Sequence, residues 1–129
     1  MIPRSLDIVQ TWLRGINGRQ LESVVSLYTN DAVLLPTFSP HVLRTPAQRR
    51  GYFERLAAQP GLFVSLHEKT FACQSLGGGL TVASGIYCFR MEIDGEPLSF
   101  EARFSYVLNS MISAPILHHH SSQIPRNLS

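Results

Sequence analysis

The chain is predicted to be an α+β protein in which N-terminal helices pack into a curved antiparallel sheet. Two observations carry this. Apolar residues recur at helical spacing through the first third of the chain and alternate as in strands from Leu62 onward. Turn signals at Gly77-Gly78-Gly79 and Asp94-Gly95 divide that second part into long consecutive strands. Helices followed by a meander is an α+β order. Long strands twist and curl, so a sheet wrapped around the helices makes a half-open cone.

Each element has its own local reason. Ile8, Trp12, Leu13 and Ile16 form one apolar helical face; Ser5 reads as its N-cap, Asp7 falls in the first turn, and Gly15 and Gly18 bracket the end. Leu21, Val24, Val25 and Tyr28 share the stripe of a second short helix, which Thr29-Asn30-Asp31 breaks. Ala32 to Leu35 reads as a short strand closed by Pro36, and Pro36 to Pro46 as an irregular surface loop. Thr45-Pro46 supplies an N-cap and an N1 proline for a third helix that buries Tyr52, Phe53 and Leu56 and stops at Gln59-Pro60-Gly61. Strands are expected over Leu62 to Gln74, Leu80 to Ile93, Leu98 to Leu108 and Ile112 to Ser122. The third presents Phe100, Ala102, Phe104, Tyr106 and Leu108 on one face, with Glu101, Arg103 and Ser105 on the other. Proline cannot donate to a ladder, so a bulge or irregular start is expected near Pro115.

The totals bound the function class. The 129 residues suit one domain, 1–129, with its own core. Hydrophobic residues make up 44% and charged residues 16%, which excludes a disordered chain. A net charge of +2, with only Arg49 and Arg50 adjacent among the basic residues, gives no stripe for nucleic acid. No run reaches the roughly 18 apolar residues needed to span a membrane. The start, Met-Ile-Pro-Arg-Ser, lacks a leader pattern, so a cytoplasmic location is expected. Cys73 and Cys88 are expected to be small buried thiols.

The polar residues that break the strand pattern are the candidate site. Arg103 stands in an otherwise apolar strand, and His118-His119-His120 follows in the last one. An arginine fixed inside the cone would hold a carboxylate or similar anion through a bidentate contact; its alternative is an internal salt bridge. Strand parity puts His118 and His120 on one face with Ile116 and His119 on the other with Leu117, unless a bulge intervenes. A pocket histidine near neutral pH serves acid/base chemistry or ligand hydrogen bonding; its alternative is a bond to the backbone. Nothing in the spacing demands zinc, and no metal or cofactor is expected. Tyr28 and Tyr52 offer hydroxyls to a pocket, or core packing. Asp31 reads as a structural cap. No Ser-His-Asp arrangement or phosphate-binding glycine loop can be assembled.

Together with Leu27-Tyr-Thr-Asn-Asp-Ala-Val33, the order of elements resembles the nuclear transport factor 2 superfamily, which includes ketosteroid isomerase and scytalone dehydratase. Glu101-Ala-Arg103, Asp31-Ala-Val-Leu-Leu-Pro-Thr37, His119-His120-Ser121-Ser122 and Pro125 more closely resemble the association domain of calcium/calmodulin-dependent protein kinase II and its stand-alone bacterial relatives. The resemblance implies a cystatin-like cone with an open pocket, and homodimers through the outer sheet face. It places Arg103, His120, His118, Tyr28 and Tyr52 as ligand-binding candidates for a small polar or anionic molecule. His120 is the candidate acid/base, because both branches of the resemblance carry histidine there. No kinase phrase is present, so kinase activity is excluded. The alternative is a metal-free isomerase, dehydratase or hydrolase. Against the isomerase form, Leu35-Pro36 stands where those enzymes place their carboxylate base. Arg90 falls one residue away from a second pocket arginine of the kinase domain, and one residue changes the face.

Overall fold

The computed structural model describes residues 4–125; Met1 to Pro3, part of the segment read for a leader, and residues 126–129 lie outside the described residues. Three helices precede and interrupt a six-stranded sheet: α1 Arg4–Asn17, α2 Leu21–Val25, β1 Tyr28–Leu35, α3 Pro46–Ala57, β2 Phe63–Leu66, β3 Ala72–Gly77, β4 Leu80–Ile93, β5 Glu96–Asn109 and β6 Ile116–Gln123. The sheet order is β1-β6-β5-β4-β2, with β3 also on β4. β1 and β6 are parallel and the other pairings antiparallel. The α+β cone is therefore as predicted. Among the described residues no helix is long and apolar enough to cross a membrane.

The core lies between the helices and the inner face of the sheet. Trp12 sits at its centre, stacked on Tyr87 (centroids 5.6 Å apart) and edge-on to Phe53. From β5 the inward residues are Ala102, Phe104, Tyr106 and Leu108, all at most 3% exposed, as their alternation predicts. α3 starts as expected: Thr45 and Gln48 form a reciprocal capping box with Pro46 at the first turn. Asp94 and Gly95 both take positive φ, 52° and 81°, as a two-residue hairpin between β4 and β5 requires.

Several boundaries differ from expectation. Ser5 is not a cap: it lies within α1, 3% exposed, and its hydroxyl donates to Cys73 Sγ at 3.0 Å. Cys73 is itself exposed and Cys88 half-buried, so the expected pair of buried thiols is not formed. Gly15 lies inside α1 rather than ending it. A Cβ there would stand 2.7 Å from Val24 Cγ2, so the missing side chain is what lets α2 approach. The left-handed residue that closes α1 is Arg19, φ 56°. The predicted Leu62–Gln74 strand is split by one 3₁₀ turn at Glu68–Thr70 into β2 and β3, which lie along different stretches of β4.

The largest difference lies in β1, which begins at Tyr28 and so includes the Thr29-Asn30-Asp31 segment read as a break. Tyr28 pairs with Ile116 and Val33 with His118, so four residues of β1 face one of β6. Those extra residues bulge from the ladder, and their carbonyls need other donors. Arg49 of α3, 2% exposed, supplies them: Nη1 donates to Ala32 O at 2.7 Å, and Nη2 to Thr29 O at 2.7 Å and Asn30 O at 3.3 Å.

Candidate functional site

The interior of the cone is closed by a hydrogen-bonded relay. Trp12 Nε1 donates to Tyr28 Oη at 3.0 Å, and that hydroxyl lies 2.7 Å from His119 Nδ1. His119 Nε2 lies 3.2 Å from Tyr87 Oη, beside the hydroxyls of Ser121 and Thr37, which bond to each other. The protons can be placed by elimination. Trp12 occupies the Tyr28 oxygen, and Nδ1 is the acceptor left for the Tyr28 proton. His119 then carries its proton on Nε2 and donates it to Tyr87. Each group passes a proton outward, from Trp12 toward Ser121 and Thr37.

Burial fixes the charge state of this relay. His119 is 1% exposed, and desolvation, followed by the fields of His118 and His120, holds its pKa well below the ordinary histidine value. The ring is neutral at physiological pH. Burial likewise pushes the hydroxyls of Tyr28, Tyr87 and Tyr106 up. Tyr106 packs flat on the imidazole with its centroid 3.8 Å away, and its own hydroxyl is the buried side-chain polar atom without a partner among the described residues.

Outward from the relay the interior narrows to a void of about 10 Å³ bounded by Thr37, Tyr87, His119 and Ser121 and roofed by Tyr52 and Phe53. Above Tyr52 a cavity of about 550 Å³ opens at the wide end of the cone, between α3, the end of β4 and the loop after Pro36. Phe38 of that loop packs edge-on to Phe89 and Phe100, and its amide donates to Tyr52 Oη at 3.4 Å. Tyr52 thus lines both spaces.

The predicted site residues fall in three places. Tyr28 and Tyr52 are interior, at 4% and 6% exposure. Arg103 is not: it is exposed on the outer face opposite Ser122, because the inward positions of β5 are 102, 104, 106 and 108. Arg90 is also on the outer face, over the ring of Phe63 with its guanidinium carbon 5.3 Å from the centroid. His120 is exposed, on a shallow groove of about 300 Å³ shared with His41 and Thr37. His118 is half-buried, opposite Val107 and Val33. The expected pairing of Arg103 with His120 inside the cone is therefore corrected: the interior histidine is His119.

A bulge is the cause. Leu108 pairs with Ile116 but Val107 pairs with His118, so Leu117 is the extra residue. Its insertion turns Ile116 and His119 to the same inner face. The irregularity expected near Pro115 does occur, two residues later, and it decides which imidazole enters. Arg49 and His119, with Tyr87 and Ser121 of the relay, are interior polar residues that the site prediction missed. For His119 the available signal was Pro115, which announces the bulge; for Arg49 no local pattern exists. Among the described residues no three His, Cys, Asp or Glu side chains gather as metal ligands.

Comparison with known proteins agrees with this fold. The calcium/calmodulin dependent protein kinase II association domain family matches residues 5–125. The chain belongs to that family. Among solved structures it is similar to a Xanthomonas campestris protein assigned as such an association domain, at 26% identity over 95% of this chain and 87% of that one, with a TM-score of 0.84. It shares its fold with a cystatin-like protein from Caulobacter vibrioides at 12% identity (95% and 88% covered, TM-score 0.77). It also shares it with a ketosteroid isomerase-like protein from Erwinia carotovora atroseptica at 11% identity (93% of each chain, TM-score 0.77). No curated protein matches the chain in sequence.

Proposed function

We propose that this is a ligand-binding and dimerisation domain whose pocket is the cavity at the open end of the cone. The observation that carries the reading is the position of Tyr52. The residue lines both a cavity of about 550 Å³, large enough for a small molecule, and the inner void that touches the relay. A small polar or anionic molecule seated there reaches Tyr52 directly. Tyr28 and His119 act from beneath by holding Tyr87 and the floor in place.

Self-association through the outer sheet face rests on family membership and on the character of that face. Val82, Ile86, Val107 and His118 are half-buried apolar or aromatic groups, surrounded by Glu101, Arg103 and His120. Light scattering tests it: a dimer is expected at micromolar concentration, and a monomer there refutes this part. For the pocket, Ile93→Trp fills the cavity from a position that is 37% exposed, and a thermal-shift screen of small acids, amides and ketones on both proteins tests it. A ligand that stabilises the wild type and not the variant is expected; equal responses sink the reading.

A second reading has one supporting observation. The neutral His119, bonded at both nitrogens, forms a proton path to Tyr87 at the void, which suits an isomerase, dehydratase or hydrolase using a histidine acid/base. In that reading His119 takes the role expected of His120. Recovery of every bound ligand unchanged after long incubation counts against it.

A further inference from the structure

We infer that the ligand of this cavity is an amphipathic carboxylate, anchored by Arg55 and Tyr52 at its polar side; the inference rests on the pocket reading above and narrows its chemistry. Half of the lining residues are apolar: Phe38, Pro40, Leu56, Met91 and Ile93. Five polar residues complete the lining: Ser39, His41, Tyr52, Arg55 and Gln59, of which Arg55 alone carries a permanent charge. No carboxylate lines the cavity, and Arg55 has no ion-pair partner among the described residues. The charge there is therefore a single uncompensated cation beside an apolar wall. An anion with an apolar body is the complement of that surface.

Tyr52 strengthens the assignment independently of Arg55. Its oxygen already accepts the Phe38 amide, so its own proton is what remains to be donated. The field of Arg55 reaches this hydroxyl and acts to lower its pKa against the larger upward push of burial. The group stays protonated and donates toward negative charge. A guanidinium and a phenol on neighbouring turns of α3 thus offer donors of the kind that bind the two oxygens of a carboxylate. His41 stands at the rim, where its imidazole adds a further donor.

The inner part of the cone does not compete for the anion. Arg49 is committed to three carbonyls, and His119 is neutral. Arg103 is on the outer face. Among the described residues the lining cation is Arg55, so the carboxylate faces the Arg55 side and the apolar body lies against Met91 and Phe38.

Calorimetric titration of the full chain with hexanoate and phenylacetate, each paired with its primary amide, tests the inference. The expected result is binding of the acid roughly tenfold tighter than of its amide, the usual worth of a charge-assisted contact. Arg55→Gln should abolish that preference while leaving amide binding in place, and Tyr52→Phe should reduce it. Ile93→Trp should weaken acid and amide alike. Equal affinity for acid and amide, or a preference that survives Arg55→Gln, overturns the carboxylate assignment and leaves the pocket intact. Binding that is unaffected by Ile93→Trp, or no binding by any of the four probes, overturns the pocket reading and this inference with it.

Discussion

Tyr106 lies flat against the imidazole of His119, with ring centroids 3.8 Å apart and planes 15° apart, while its hydroxyl finds no partner among the described residues. The two residues face each other across the β5–β6 ladder. One is bonded at both ring nitrogens, and the other has no bond to its side-chain oxygen among the described residues. The ring of Tyr106 therefore serves as a wall for His119, and its oxygen is a cost to the fold.

Tyr106→Phe is accordingly expected to be neutral or to stabilise by up to about 1 kcal/mol, since a buried, unpaired hydroxyl is unfavourable. Tyr28→Phe and Tyr87→Phe remove bonded hydroxyls and should each cost about 1–3 kcal/mol by leaving a buried partner unsatisfied. Urea unfolding followed by the fluorescence of Trp12, the single tryptophan, measures all three. A Tyr106→Phe loss as large as that of Tyr28→Phe would show that the hydroxyl has a partner.

Acid should weaken the fold through His119. Its pKa is depressed in the folded state, whereas the unfolded chain takes up a proton near 6.5. Above that pH the ring is neutral in both states and adds no pH dependence. Below it the unfolded chain binds a proton that the folded protein refuses, so stability falls as pH drops. The slope from this group approaches about 1.4 kcal/mol per pH unit. Between pH 6.5 and 5, His119→Gln should lose that much of the slope; an unchanged slope refutes the buried neutral ring.

Alkali should act through the tyrosines. All four in the chain, Tyr28, Tyr52, Tyr87 and Tyr106, have hydroxyls whose pKa burial raises above the ordinary tyrosine value of about 10. Each contributes stability that is lost as pH rises past the unfolded value. Ultraviolet titration should show no tyrosinate near pH 10 in the folded protein, then all four ionising together as it unfolds. A separate early step would mark an accessible hydroxyl.

Arg49→Met should cost about 2–4 kcal/mol, because three carbonyls of the β1 bulge lose their donors at once. The damage should be local to β1 and its pairing with β6. Hydrogen exchange of Leu34 and Ile116 amides should quicken ahead of amides in the β4–β5 pair; equal protection would assign Arg49 no role in holding the bulge.

Much of the architecture was legible because it rests on local patterns. The Thr45-Pro46 start of α3, the Asp94-Gly95 hairpin and the alternation from Phe100 to Leu108 are all encoded by neighbours in the chain. The site was less legible because it depends on pairing between distant segments. Arg103 had the right residue type, but β5 turns its odd positions outward. His119 was obscured by parity that a single inserted residue reverses. Arg49 sits on a helix whose periodicity gives no hint that β1, some twenty residues earlier, has carbonyls to offer. The bulge in β1 is itself invisible locally, since Thr29-Asn30-Asp31 has the composition of a turn and is held as strand by its neighbours.

Leu117 acts as a phase shifter. Were Leu117 to take a regular place in the ladder instead of bulging, the following residues would turn by half a period and exchange the inner and outer imidazoles without altering the histidine string. Two proteins with the same His-His-His-Ser-Ser letters can then present chemically opposite interiors: one with a lone neutral ring bonded on both sides, the other with two imidazoles, one of them against Tyr106. In such chains the bulge after Ile116, more than the letters, determines what the cone contains.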